Sequence, residues 1–502
     1  MTRYCRPFQL IAGGVLFVGA LPAFSVRAWA DGFKFTPSIT LQELYTDNSG
    51  GGQNNSQSDV VTQISPGVAL NENGPWSTAT INYSPTFNHY DFGTAPDRVD
   101  QNFNGVATIT PFEDQLKIDI SANASEQGAT ANSNNVSNSL LLASNNRVLY
   151  YVGDIIPHFT HHFGDVATLD AYYRLKSANV SDQSIHELPN TSLSSDSLQN
   201  DMEVIFGSGE RFGQIGAQID LDHGFGNGSG ENTGSVNDKD FLGLQYHFNS
   251  LYAATGTIGY QRLHYDASLT TLPFTSEGLI WSVGARATPN PDSTLSISYG
   301  FQEGVYIPTL KMTYSLGPRT IITANYLVQI ENELESSLLN LQYLTYDALG
   351  QPIDSRTGLP FSLVNPSFGS QNVLFRDKAA QVTVVHELER SAITLRVVYE
   401  KRSEVTGPVA GSAAETVDIG YSRAMSPNLN GSVDIGFTNS RASGVIANPY
   451  DRQNLVDLGF SLYWTLSETA SVYLNGTFYK PVSNASTQQT TNQVVLGFRK
   501  AL

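Results

Sequence analysis

Cysteine is all but missing from this chain. The one residue, Cys5, stands ahead of the first apolar run, so residues 31–502 hold no thiol. Disulfides, thiolate metal sites and cysteine catalysis are excluded there. Charge is scarce as well: Asp, Glu, Lys and Arg make up 15 % of the chain, against about 25 % in ordinary soluble domains. Three of the 28 basic residues and none of the 46 acidic ones fall in the first 30 positions, which leaves −21 on residues 31–502. Phosphate contacts need basic patches, so no nucleic-acid partner is expected. No run of 18 apolar residues follows the N-terminal region, so no membrane helix is expected. Catalytic signatures are lacking too. His264 and His386 lie in strand-like segments without a nucleophile elbow. GSGERFG (207–213) has the glycines of a phosphate loop but joins two strands and opens no helix, and is read as a hairpin turn. The chain is therefore read as no enzyme, with no cofactor and no metal.

What is present begins with an export signal. Arg3 and Arg6 precede an apolar stretch from Leu10 to Ala23, and Ala28-Trp29-Ala30 fits the small-x-small cleavage rule. Residues 1–30 are read as a signal peptide and 31–502 as the mature protein. In the mature part Gly, Asn, Ser and Thr stand where charge would be, and aromatics reach 11 % of the chain. Low charge, many aromatics and export together point to the outer membrane of a Gram-negative cell.

The pattern of residues agrees. In ATINYSPTFN (79–88) Ala79, Ile81, Tyr83, Pro85 and Phe87 alternate with small neutral polar residues. Successive side chains leave a strand on opposite faces, so one face is apolar and the other polar but uncharged. QLKIDISANA (115–124), ATLDAYYRL (167–175), QIGAQIDLD (214–222), TLSISYGF (294–301), TIITANYLVQI (320–330) and VDLGFSLYWTL (456–466) repeat it. About 22 such segments (range about 18 to 24) are each long enough to cross a bilayer at a tilt. Short connections such as NENG (71–74), PFED (111–114) and LGPR (316–319) are expected to alternate strictly with long polar ones such as 47–59 and 224–238. That is the layout of a barrel with short periplasmic turns and long extracellular loops. The fold expected is all-β, a single transmembrane antiparallel up-and-down barrel. Tyr45, Phe87, Tyr90, Tyr173, Phe225, Tyr265, Phe301, Tyr399, Phe437 and Phe478 are placed in the outer aromatic girdle. Pro37, Pro66 and Pro85 interrupt strands, and bulges are expected at all three.

FKFTPSITLQELYTDN (33–48), SDVVTQISPGVAL (58–70) and INYSPTF (81–87) stand in succession. This set resembles a family of outer-membrane barrels found in bacteria with exopolysaccharide and PEP-CTERM sorting systems, within a broader β-barrel porin group. The resemblance implies an outer-membrane location and a link to polysaccharide export components, and it carries no catalytic residues. The chain ends GFRKAL, so it is not itself a PEP-CTERM substrate, and recognition by the barrel-assembly machinery would rest on Phe498 and Leu502.

The candidate site is the lumen wall. Lys117, Asp119, Asp170, Arg174, Asp220, Arg286, Lys311, Arg396, Asp434 and Asp457 fall on the polar face. They would either bias a pore towards cations or pair with one another across strands. The segment 332–374 is too apolar for a solvated loop and is read as a constriction or lid. His158, His161 and His162 are close in sequence, but no Glu or Cys completes a metal site of familiar spacing. The strand pattern starts at Phe33, leaving no room for an N-terminal plug, which argues against a TonB-dependent transporter. The function expected is a porin-like channel passing small solutes or an exported polysaccharide, among outer-membrane lipid and lipopolysaccharide. The alternative is a non-conducting scaffold of an exopolysaccharide export system.

Overall fold

The computed structural model describes residues 32–49, 57–113, 115–128, 147–181, 195–229, 234–267, 272–346, 352–354, 361–363, 368, 374–406, 411–443, 452–482 and 490–502. The signal-peptide reading of 1–30 lies outside the described residues. The strands are β1 (Phe33–Thr46), β2 (Asp59–Asn73), β3 (Ser77–Tyr83), β4 (Thr86–Tyr90), β5 (Arg98–Asp100), β6 (Asn102–Phe112), β7 (Leu116–Gly128), β8 (Arg147–Phe163) and β9 (Ala167–Ser181). They continue with β10 (Ser195–Ser208), β11 (Ile215–Gly228), β12 (Gly234–His247), β13 (Tyr252–Tyr265), β14 (Phe274–Ala287), β15 (Thr294–Gln302), β16 (Val305–Ser315) and β17 (Thr320–Glu331). After helix α1 (Glu333–Leu341) come β18 (Leu344–Tyr346) and β19 (Pro352–Asp354), which pair only with each other. The rest are β20 (Phe375–Glu387), β21 (Ser391–Glu404), β22 (Gly411–Ser426), β23 (Leu429–Ser443), β24 (Arg452–Ser467), β25 (Ala470–Pro481) and β26 (Thr491–Ala501).

β3 and β4 are two halves of one stave, and β5 and β6 of another, so 24 strands make a closed antiparallel barrel of 22 staves. Closure is direct: Leu41 of β1 stands opposite Ile64 of β2 on one side and Phe498 of β26 on the other. Hydrocarbon offers no partner for a free backbone group, so an open edge in the membrane would be costly. No described helix is long and apolar enough to cross a membrane. The outer face is the apolar one. Leu41, Ile64, Phe87, Ile258, Val283 and Ile435 are among its exposed side chains. The opposite parity carries Gln63, Asn88, Asn104 and Gln261, each buried. The closed barrel with an apolar outer band is an outer-membrane structure.

Three expectations are corrected by the strand register. Bulges do not occur at the prolines. Ile64 pairs with Phe87 and Val68 with Tyr83, the same register on both sides of Pro85. Carried through the gap, that register sets Pro66 opposite Pro85, so two residues without an N–H share a single defect and no residue is inserted. Pro37 pairs with Val68 in an unbroken ladder, and the β1–β26 ladder starts one residue later at Ser38. Among the described residues, the register shifts are at Ile109/Phe112, Ala424/Ser426 and Thr465/Ser467, beside short turns.

The alternation of short and long connections is not strict. β15 and β16 are joined at the outer end by Glu303 and Gly304 alone, both with positive φ, 55° and 75°. Two residues in that conformation close a hairpin whose twist matches the strands. Two members of the outer girdle are also reassigned. Tyr90 shares the face of Asn88 and packs inward with Leu44, Val61 and Val495. Tyr265 shares the face of Gln261 and Leu263 and is equally buried. Tyr45, Phe87, Tyr173, Phe225, Phe437 and Phe478 are exposed on the outside.

Candidate functional site

All ten sequence-selected wall residues have inward parity, because each alternates with an outward apolar neighbour. Several are neutralised locally. Lys117 lies 2.8 Å from Asp119, which also accepts a hydrogen bond from Thr108 at 2.6 Å. Arg174 pairs with Glu203 and sits over the Tyr172 ring. Arg396 donates to Asp418 from Nε at 2.8 Å. Asp170 accepts from Thr160 at 2.7 Å and lies 3.2 Å from His158 Nε2. Asp220 is buried, and its Oδ1 has no hydrogen-bond partner among the described residues. Arg286 stands between Ala253 and Ser296, and Lys311 between Ser296 and Asn325, neither in an ion pair among the described residues.

Asp434 and Asp457 stand near Asp418 on adjacent staves. Asp434 lies opposite Gly459 and Asp457 opposite Gly436, and each carboxylate occupies the space a Cβ on that glycine would fill. Asp418 faces Gly436 in turn, and of these three carboxylates it is Asp418 that pairs with Arg396. Sequence reading missed the pairs Lys176–Asp201 at 2.8 Å and Arg98–Asp100 at 3.2 Å on the same face. Their parity alone would have found them.

The three histidines of PHFTHHFG do not converge. His158 and His162 point inward, towards Asp170 and Thr168. His161 points outward between Phe159 and Phe163, with ring centres at 6.4 and 4.6 Å, as part of the inner aromatic girdle. Residues two apart share a strand face and adjacent ones do not. Among the described residues no group of three His, Cys, Asp or Glu could hold a metal.

The second part of the site is α1. It leaves β17 and packs on the inner wall, where Leu334, Leu338 and Leu341 are buried against Val148, Tyr150 and Val152 of β8 and Ala178 and Val180 of β9. Leu344, Phe361 and Leu363 complete this cluster. Its start is a capping box: Asn332 Oδ1 accepts from the Glu335 N–H and Glu335 Oε2 from the Asn332 N–H, both at 3.0 Å. The same Glu335 carboxylate accepts from Tyr265 of β13 at 3.0 Å and from Gln199 of β10 at 2.8 Å. Glu335 is on α1, not on a spanning stave. Enclosure against the wall raises its pKa from 4.5 to about 7, opposed by the hydrogen bonds from Asn332 and Tyr265.

At the other side Glu333 reaches Arg402 of β21, with Oε2 2.7 Å from Nη1. Arg402 is buried. Its Nε donates to Glu400 at 2.9 Å, and its guanidinium lies 4.3 Å from the Phe375 ring centre and 4.8 Å from that of Phe368. Asp377 stands opposite Arg402 in the sheet, and Glu331 is buried beside Phe375. Four carboxylates thus surround one guanidinium. The helix bridges β21 to β8 and β9, near the opposite side of the ring of staves. A round barrel of this strand number would be about 40 Å across. Nine helical residues span only about 14 Å. Side chains from both walls, Arg402 on one side and the β8–β9 cluster on the other, reach α1, which stands as a strut between them.

No family model matches the chain, and no curated protein is detectably similar. Solved structures are. The apoprotein form of the FrpB iron transporter from Neisseria meningitidis (F5-1 variant) superposes with a TM-score of 0.52 at 10 % identity, over 93 % of this chain and 81 % of that one. The F3-3 variant of the same transporter gives a TM-score of 0.51 at 10 % identity, over 93 % of this chain and 82 % of that one. At such identity the likeness is one of barrel fold. It shows the fold alone.

Proposed function

We propose that this protein is an outer-membrane transport channel for small polar solutes, with a preference for cations, narrowed by the strut. One observation carries the reading: a polar inner wall of 22 staves is crossed by a helix pinned to both sides of it. The carboxylates of Asp418, Asp434 and Asp457 on adjacent staves support the cation preference, since fixed negative charge in a pore raises the local cation concentration. The fold likeness to an iron transporter supports transport in general and names no cargo for this chain. Lipid and lipopolysaccharide around the apolar band and the barrel-assembly machinery are the partners this reading implies. No step of it requires catalysis.

A second reading, a non-conducting scaffold of an exopolysaccharide export system, is favoured by the strut's position in the lumen. Passage of the polymer itself would require the strut to leave. Planar-bilayer conductance of the refolded protein, beside a variant lacking residues 333–341, separates these. Conductance with a cation-selective reversal potential in a salt gradient is expected from both, larger without the strut. Silence from both proteins, with heat-modifiable gel mobility showing a folded barrel, would leave the scaffold reading.

A further inference from the structure

We propose that the strut is a proton-dependent latch, docked across the lumen in mild acid and released as its enclosed carboxylates ionise. This rests on the channel reading above. The geometry has two halves. One is a permanent attachment, the contact between Glu333 and Arg402, with Glu400 on the same guanidinium and Phe375 and Phe368 flanking it. The other is a conditional attachment at Glu335, a single carboxylate that closes the capping box and also receives Tyr265 and Gln199 from two separate staves.

The charged groups around both halves decide the sign. Glu335 faces Tyr265, with Lys176 and Asp201 nearby, and these two are engaged with each other at 2.8 Å. Glu303 and Glu331 also act on Tyr265. Arg402 is faced by Glu333, Glu400, Asp377 and Glu331. The surroundings of the strut are therefore rich in carboxylates and short of cations. Each added negative charge in this enclosed space weakens the docked state relative to a released strut in water.

Glu335 has a docked pKa of about 7 against 4.5 when released. A carboxyl whose pKa is raised by docking contributes fully below the released value, and its contribution is lost as pH rises through the docked value. Between pH 5 and pH 8 the docking constant should then fall on the order of 50- to 100-fold.

The test is conductance of the full chain at pH 5 and pH 8 for wild type, Glu335→Gln and the variant lacking 333–341. Wild type is expected to open as pH rises. Glu335→Gln, which keeps an acceptor oxygen but cannot ionise, should remain at the low acid level at both values. The strut-less variant should conduct fully at both. Wild type and Glu335→Gln equal at both pH values, with the strut-less variant conducting, would overturn the latch and leave the channel standing. Silence from the strut-less variant would remove the channel reading instead. The latch is then decided by thiol labelling at Ser337→Cys in a Cys5→Ser background: faster labelling at pH 8 supports it, and equal rates refute it.

Discussion

Leu338→Ala tests whether the strut is held by packing. Leu338 is 3 % exposed and lies in the cluster with Val148 and Tyr150, both fully buried. Truncating a buried leucine to alanine costs about 2–5 kcal/mol, the transfer term plus the cavity left behind. The barrel does not need this contact, so the cost should fall on docking. A loss of about 3 kcal/mol raises the released population roughly 150-fold. Ser337 offers the probe. It is fully buried, and among the described residues its hydroxyl bonds to the Leu334 carbonyl of its own turn, at 2.8 Å. Because Cys5 is the only native cysteine, Ser337→Cys with Cys5→Ser gives a single reactive thiol. A membrane-impermeant maleimide reaches it only when the strut leaves the wall, so the labelling rate follows the released population. Leu338→Ala should speed labelling by roughly 30-fold for 2 kcal/mol and more than 1,000-fold for 5 kcal/mol. Leu339, half-buried and outside the cluster, is the control, and its alanine variant should change the rate by under about fivefold. Equal acceleration by Leu338→Ala and Leu339→Ala would refute the packing argument. So would a wild-type rate equal to that of the unfolded protein.

Two more predictions concern the barrel itself. Ile435, exposed at mid-length of β23, is read as lipid-facing, so Ile435→Arg should cost about 2–4 kcal/mol in urea unfolding from vesicles, while inward Ser432→Arg should change it by less than about 1 kcal/mol; the reverse order would mean the faces are exchanged. A Cβ on Gly300 would run into the Trp281 carbonyl of the adjacent strand, whereas Gly207 has open space. Gly300→Ala should therefore destabilise by about 1–3 kcal/mol and Gly207→Ala by under about 1 kcal/mol, read from the same unfolding midpoints.

The barrel was legible because its signal is a parity. Every segment with apolar residues at alternate positions gave both a strand and a choice of face. Gln63, Asn88 and Asp220 turn inward where Ile64, Phe87 and Leu221 turn outward. Parity fails where a residue's type, not its phase, decided its assignment. Tyr90 and Tyr265 were placed in the girdle because they are aromatic near a strand end, yet their neighbours at two-residue spacing are Asn88 and Leu263, on the inner face. The prolines failed for a different reason. A lost N–H suggests a bulge, but the register shows that Pro66 and Pro85 face each other. Pairing distance, which no single strand contains, made one defect of two.

The strut lies at the limit of such reading. Its local signature was present: in NELE (332–335) an N-cap residue is followed three positions later by Glu, ahead of SLLNL. That announces a helix start, and the buried leucines follow at 334, 338 and 341, the spacing of one helical face. What the sequence does not carry is the partner of each acid. Glu333 meets Arg402 across 69 positions and Glu335 meets Gln199 across 136. Only the closed ring of staves brings those residues together. Arg402 shows the limit: its own strand supplies Glu400 two positions away on the same face, but the second carboxylate, Glu333, comes from the helix and cannot be read from β21. The four acids that face Arg402 make the same point: Glu331, Glu333, Asp377 and Glu400 come from β17, α1, β20 and β21, and no one of these segments announces the other three.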